Sequence, residues 1–230
     1  MNSPAAVPTR PTHPGPPLVF PAIACALLFI APGLLGGVLG ADGAIPSPFT
    51  TTNTVVTYFA TNHAMTQLTG FLLLLSALFL GLFTAVAASR IKYLAPTAPG
   101  PTIVLAGGVI AATLLATSAV VQWSLSFTAV TDLPALTHAL HYVSFALGGA
   151  GHVGALGVLI LGLAVTSWYV GRVPHWLCAV GFVIAIAALG STVSLAVTPL
   201  SVLIPLGRFA GLLWLIVVSA VIPRVRAARR

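Results

Sequence analysis

Apolar residues run along this chain in stretches of about 20, separated by short segments that hold proline, glycine and the few charges. A stretch of this length crosses the roughly 30 Å hydrocarbon core of a bilayer as one α-helix. We expect six spans, at about 18–40, 64–88, 102–124, 137–166, 174–197 and 202–222. The pattern therefore predicts an all-α fold, a polytopic integral membrane bundle of six transmembrane helices.

The segments outside the spans differ in composition from one another. Residues 1–17 form a proline-rich tail, residues 224–230 form a basic tail, and 18–223 form the transmembrane domain between them. Residues 41–62 mix prolines, threonines and aromatic residues, which predicts a loop with a short interfacial helix. A cleaved signal peptide is the competing interpretation of the first span, but its apolar run is longer than the usual apolar region of a leader.

Composition excludes a soluble domain and gives the bundle an orientation. The chain is 58% hydrophobic and 5% charged, whereas soluble domains are about 25% charged. Both aspartates, Asp42 and Asp132, fall on one side of the predicted topology. The basic residues on the opposite side are Arg10, Arg90, Lys92, Arg172, Arg224, Arg226, Arg229 and Arg230. Positive charge marks the inner side, so we expect both termini in the cytoplasm of a bacterial cell.

The same charges bear on partners and on chemistry. The net charge of +7 comes from residues scattered at span ends, without the aromatic-interleaved patch of a nucleic-acid surface, so the expected partner is the lipid bilayer. The chain has two acidic residues, both in loops, which excludes a carboxylate pair for acid–base catalysis in the membrane. Neither a GxSxG nor an HExxH motif is present. An enzyme is therefore not expected, and no catalytic residue or metal site is assigned.

Ionisable side chains inside spans are the candidate functional residues, because they are costly in hydrocarbon. His138, His141 and His152 lie on the fourth helix within about 60° of one another if that helix is regular, so they share one face. His152 then lies about 16 Å deeper than His141. On the sixth helix, Arg208 either snorkels to the outer headgroups or points into the bundle toward an anionic group.

Other polar residues are expected at the same outer end of the bundle. His63 and Gln67 lie on the first turn of the second span, and Gln122 lies at the end of the third. The candidate cofactor-binding residues are His63, His138, His141, His152 and Arg208, and Gln67 and Gln122 are expected to line a pocket beside them.

Four interpretations of this cluster remain open. A b-type haem would take His63 with His138 or His141 as axial ligands, with Arg208 beside a propionate. A metal could bind His138 and His141 together with His63 and Asp132. A polar track could carry a solute or protons, although it contains no intramembrane carboxylate. The plainest alternative is that the histidines only hydrogen-bond neighbouring helices.

Three segments carry a family resemblance. These are Ser47 to His63 before a leucine-rich span, VPHWLCAVG from Val173 to Gly181, and the closing span with Trp214 that ends at Pro223 and Arg224. In this order they resemble uncharacterised actinobacterial multi-pass membrane proteins of the domain-of-unknown-function class DUF4386. The resemblance covers most of 18–225 and implies a membrane protein, with no activity to carry over.

The sequence thus predicts a non-enzymatic structural or accessory component of a membrane complex that contacts other membrane subunits. The alternatives are a haem-binding subunit of an electron-transfer system and a small-molecule or ion transporter with an outward-facing polar pocket.

Overall fold

The protein is all-helical in every part that the structure describes. The computed structural model describes residues 16–38, 43–171 and 173–222. Within them there is no strand, and six helices are long and apolar enough to cross a membrane, which confirms the predicted fold class. The predicted tails, apart from Pro16 and Pro17, lie outside the described residues, as do Asp42 and Arg172.

The helices follow one another with short connections. In chain order they are α1 Val19–Val38, α2 Thr52–Thr61, α3 His63–Leu94, α4 Gly100–Ser124, α5 Thr128–Thr131, α6 Pro134–Ala146, α7 His152–Val170, α8 His175–Gly190 and α9 Leu203–Val221. A π-helical segment, Leu147–Gly151, joins α6 to α7, and 3₁₀ turns at Ser191–Leu195 and Thr198–Val202 join α8 to α9. The candidate spans are therefore α1, α3, α4, the continuous run Pro134–Val170, α8 with its 3₁₀ turn, and α9 with its own.

The fourth span, Pro134–Val170, occupies the centre of the bundle. Buried residues make up 61% of its most apolar window, against 28–39% for the other five spans. Its second half, α7, packs against α4, α8 and α9, while α1 packs against α3 and α9. The buried polar groups of the fourth span, such as His141 and His152, therefore lie against other parts of the protein and not against lipid.

Small residues allow the central helices to approach closely. A Cβ atom on Gly107 of α4 would lie 2.5 Å from the backbone nitrogen of Leu159 on α7, so only glycine fits there. On the other flank of α7, the indole Nε1 of Trp214 in α9 donates to the carbonyl of Leu177 in α8 at 2.8 Å. Close backbone packing and interhelical hydrogen bonds are the usual sources of helix association in lipid.

The outer surface and the two ends of the bundle suit a membrane. Large apolar side chains such as Leu82, Val183 and Leu213 are exposed on the periphery, where a bilayer would cover them. We call the end that carries α2, α5 and the start of α3 the His63 end. The opposite end, where α3 finishes, is the Arg90 end; here Arg90 is buried and donates to the carbonyl of Pro16 at 2.9 Å.

The close approach of α4 and α7 gives a test of the packing. Gly107→Ala should destabilise the protein by about 1–3 kcal/mol, because the new methyl group must push α7 away. Gly81→Ala in α3 is the matched control, since a Cβ there meets nothing within 4 Å, and it should leave stability unchanged or slightly raised. Thermal unfolding in a mild detergent measures both. Equal midpoints for the two variants would contradict the described α4–α7 contact.

Candidate functional site

A polar cavity lies in the His63-end half of the bundle, between the fourth span and its neighbours. Its volume is about 190 Å³, and its walls come from α1, the 43–51 loop, α3, α4, the fourth span and α9. We call it the polar pocket. Five polar side chains line it, namely Ser118, Gln122, His141, Ser144 and Arg208. An intramembrane cavity with this lining differs from the apolar packing elsewhere in the core.

The π-helical segment Leu147–Gly151 forms one side of the polar pocket. Its sequence is LGGAG, and glycine is a poor helix former, so the α-helical ladder is weakest here. Gly148 faces the hydroxyl of Ser118 too closely for any side chain to fit between them. Short π segments leave backbone groups free of the regular ladder and recur at functional sites.

Arg208 crosses from α9 to this segment. Its guanidinium donates through one terminal nitrogen to the carbonyl of Gly148 and lies over the Phe29 ring, 4.9 Å from the ring centroid. Its Nε is buried and has no hydrogen-bond partner among the described residues. Asp132, the acidic residue within the described ranges, is exposed and does not line the pocket. The pocket therefore holds a positive charge that no described carboxylate neutralises.

A hydrogen-bonded network connects α4 to α6 on the opposite wall. The Ser118 hydroxyl donates to the carbonyl of Ser144 at 2.8 Å, and the Ser144 hydroxyl donates to Oε1 of Gln122 at 3.3 Å. All three side chains are buried. The Nε2 of Gln122 is buried, and no described residue bonds to it.

His141 completes the lining and connects it to the 43–51 loop. Its Nε2 lies 3.0 Å from the carbonyl of Pro46, and its ring meets the edge of Phe59 in α2 at 5.1 Å between centroids. A carbonyl can only accept, so Nε2 carries the proton. The other ring nitrogen, Nδ1, is buried and has no partner among the described residues.

In α2, outside the spans, burial raises the pKa of Tyr58 above that of a free phenol, so its hydroxyl stays protonated at neutral pH.

His138 holds the same loop but does not line the pocket. Its Nδ1 lies 2.8 Å from the hydroxyl of Thr52, its Nε2 lies 2.8 Å from the carbonyl of Pro48, and its ring stacks on Tyr142. Both ring nitrogens are therefore engaged. His138 and His141 together tie the 43–51 loop to the fourth span.

The other predicted site residues lie apart from the polar pocket. His152 is almost fully buried, with Nδ1 2.9 Å from the carbonyl of Ala111 on α4. His63 bonds the carbonyl of Ser126 at 2.8 Å, and the exposed Gln67 lines a separate shallow hollow beside Trp123. The three histidines of the fourth span thus meet different partners. The single face expected for a regular helix is wrong because the π segment changes the register between His141 and His152.

Ser118, Ser144 and the carbonyl of Gly148 are site groups that the residue pattern did not single out. Ser118 lies in the last third of α4 and Ser144 near the end of α6, and serine within a helix usually bonds its own backbone. The glycines at 148–151 were the signal available in the sequence, because glycine weakens a helix. In the structure this weak point faces the small residue Ser118.

The structure argues against one of the two histidine pairs suggested for haem, His63 with His138. His138 has no free ring nitrogen, and the polar pocket is smaller than the roughly 300–1,000 Å³ of sites for drug-sized ligands. No group of three His, Cys, Asp or Glu residues that could hold a metal ion occurs in the described ranges. The arrangement suits a small polar ligand better than either cofactor.

Comparison with known proteins adds no candidate for the ligand. No family model, no curated protein and no solved structure matches this chain. The polar pocket, which brings together Gln122, His141 and Arg208, is therefore the feature of this chain that points to a function.

The engagement of His138 gives a prediction on haem. The full-length protein, expressed with excess haem precursor, should purify without a Soret band, because neither nitrogen of His138 is free to ligate iron. Absorbance between 380 and 450 nm, as a rough window around the Soret maximum of b-type haem, measures this directly. A stoichiometric band that His138→Ala or His63→Ala removes would overturn the assignment.

Proposed function

We propose that this chain is a multi-pass protein of the bacterial cytoplasmic membrane that binds a small polar solute in the polar pocket, as the binding step of a transporter. The observation that carries the proposal is that three side chains lining one cavity, Gln122, His141 and Arg208, each hold a buried nitrogen without a described partner. They come from three different helices, α4, α6 and α9. Such convergence is the signature of a ligand site in a helical bundle.

The free-energy cost of buried polar groups without partners favours a molecule bound in the pocket. A buried polar group without a partner costs about 1–3 kcal/mol. Three of these groups around one cavity would destabilise the bundle by several kilocalories per mole if the cavity were dry, as a simple sum of that cost. Water or a polar solute in the pocket removes most of the penalty, and an intramembrane ionisable residue is by default a functional one.

Charge supports an outward-facing pocket. Arg90 and Lys92 lie at the end of α3. In the six-span topology, the basic residues of both tails belong to the same side of the membrane. By the positive-inside rule this side is cytoplasmic, with both termini inside. The polar pocket lies in the other half, next to α2 and the 43–51 loop, so a solute would reach it from outside the cell.

The accessory role in a membrane complex and the resemblance to the DUF4386 class both stay predictions. Exposed apolar side chains on the bundle surface support contact with the lipid bilayer. The solute-binding role is preferred because it is supported by the lining of the polar pocket.

Reaction of an introduced thiol tests whether the pocket is open to water from outside. Ser118→Cys should react with a hydrophilic, membrane-impermeant methanethiosulfonate added to intact cells, because its side chain lines the cavity. Ser76→Cys is the matched control: Ser76 is fully buried and bonds the carbonyl of Cys25 at 2.8 Å. We expect Ser118→Cys to react at least about tenfold faster, since thiol reactivity follows exposure.

The natural cysteines provide the baseline for this experiment. Cys25 and Cys178 are both buried free thiols, so the unmodified protein should label as slowly as Ser76→Cys. Equal slow labelling of the Ser118 and Ser76 variants, in protein that elutes as a folded species from a sizing column, would reject an outward-facing polar pocket.

A further inference from the structure

The charge balance of the polar pocket indicates the sign of its ligand. Arg208 offers a free Nε–H, and its one described protein acceptor is the neutral carbonyl of Gly148. A guanidinium in a low-dielectric site is stabilised most by an anion. Gln122 offers a second free donor through Nε2. Two N–H donors beside a positive charge suit the oxygens of a carboxylate or another oxyanion.

His141 imposes a second requirement that a simple anion does not meet. Because its Nε2 proton is directed to the carbonyl of Pro46, neutral His141 presents a lone pair at Nδ1. A lone pair repels an anionic oxygen and needs a hydrogen-bond donor from the ligand. An anion that also carries a hydroxyl meets both requirements, since its charged oxygens can bind Arg208 and Gln122 while its O–H donates to His141.

The size of the cavity limits the ligand to a few heavy atoms. About 190 Å³ corresponds to roughly six waters at about 30 Å³ each. Apolar lining, including Phe29 and Ile204, leaves no further polar side chain to bind a long polar chain. The ligand is therefore short.

We propose that the polar pocket selects a small oxyanion that carries one hydroxyl group, the class of the short-chain hydroxycarboxylates. This inference rests on the proposed solute-binding function and adds the chemical class of the solute. Arg208 and Gln122 bind the anionic group, and Nδ1 of His141 accepts from the hydroxyl. Ser118 and Ser144 hold the Gln122 amide in place.

Four small probes separate the requirements for charge and hydroxyl. Glycolate has both, acetate lacks the hydroxyl, glycolamide lacks the charge, and ethanolamine carries the opposite charge. Binding to the full-length protein in nanodiscs at neutral pH is measured by calorimetry and by the shift in unfolding temperature. Glycolate should bind at least about tenfold more tightly than acetate, the effect of one hydrogen bond, and glycolamide and ethanolamine should bind more weakly still.

Single-residue variants test which side chain is responsible for the preference for charge and which for the preference for a hydroxyl. His141→Leu removes the acceptor at Nδ1 and leaves an apolar side chain that cannot accept a hydrogen bond, so the ratio of glycolate to acetate affinity should fall to about one. His63→Leu is the matched control outside the pocket and should keep the unmodified protein's ratio. Arg208→Gln should weaken both anions by about a hundredfold or more, as expected for loss of a buried charged partner.

The outcomes distinguish failure of this inference from failure of the proposed function. Equal affinity for glycolate and acetate in the unmodified protein, or tighter binding of glycolamide or ethanolamine, overturns the hydroxylated anion. A reactive Ser118→Cys together with no binding of any probe overturns it too, and leaves the solute pocket standing. If Ser118→Cys does not react and no probe binds, both the hydroxylated anion and the proposed solute-binding function are rejected. The comparison of probes needs no variant, so misfolding of Arg208→Gln does not decide the result.

Discussion

A polar group that lies within hydrocarbon must find its partner inside the protein, and this requirement organises the centre of the bundle. The π segment of the fourth span frees the carbonyl of Gly148, and Arg208 of α9 donates to it. Phe29 of α1 lies against the same guanidinium. One charged group thus connects three spans that are distant in sequence, and it stays within the bundle because its partners lie there and not at the headgroups.

The histidines show the same constraint acting at different depths. His138 and His141, near the His63 end, satisfy carbonyls of the proline-containing 43–51 loop, which has no regular structure to pair its own backbone. Deeper in the bundle, His152 bonds a carbonyl of α4. Intramembrane histidine therefore has two roles here. It fixes a loop over the bundle, and it links two helices where water is absent.

Hydropathy was sufficient to predict the six-helix architecture, because span length and apolar character are set by the bilayer itself. Depth estimates from helical rise also grouped Gln122, His141 and Arg208 correctly at one end, where the structure brings them together. The alignment of His141 with His152 could not be predicted, since it assumed an unbroken α-helix and a π turn leaves no hydropathy signal. Ser118 was missed for a related reason: its role comes from Gly148, which belongs to another span.

The polar pocket is difficult to explain as a purely structural feature. Apolar residues of similar volume at Gln122, His141 and Arg208 would fill the space and remove three unpartnered nitrogens, and such replacements are often neutral or stabilising. The polar set is therefore a local cost to the folded state, of the kind that a bound ligand offsets by binding the native state alone. The proposed solute would offset this cost, because its charge and hydrogen-bonding groups would pair with the same three side chains.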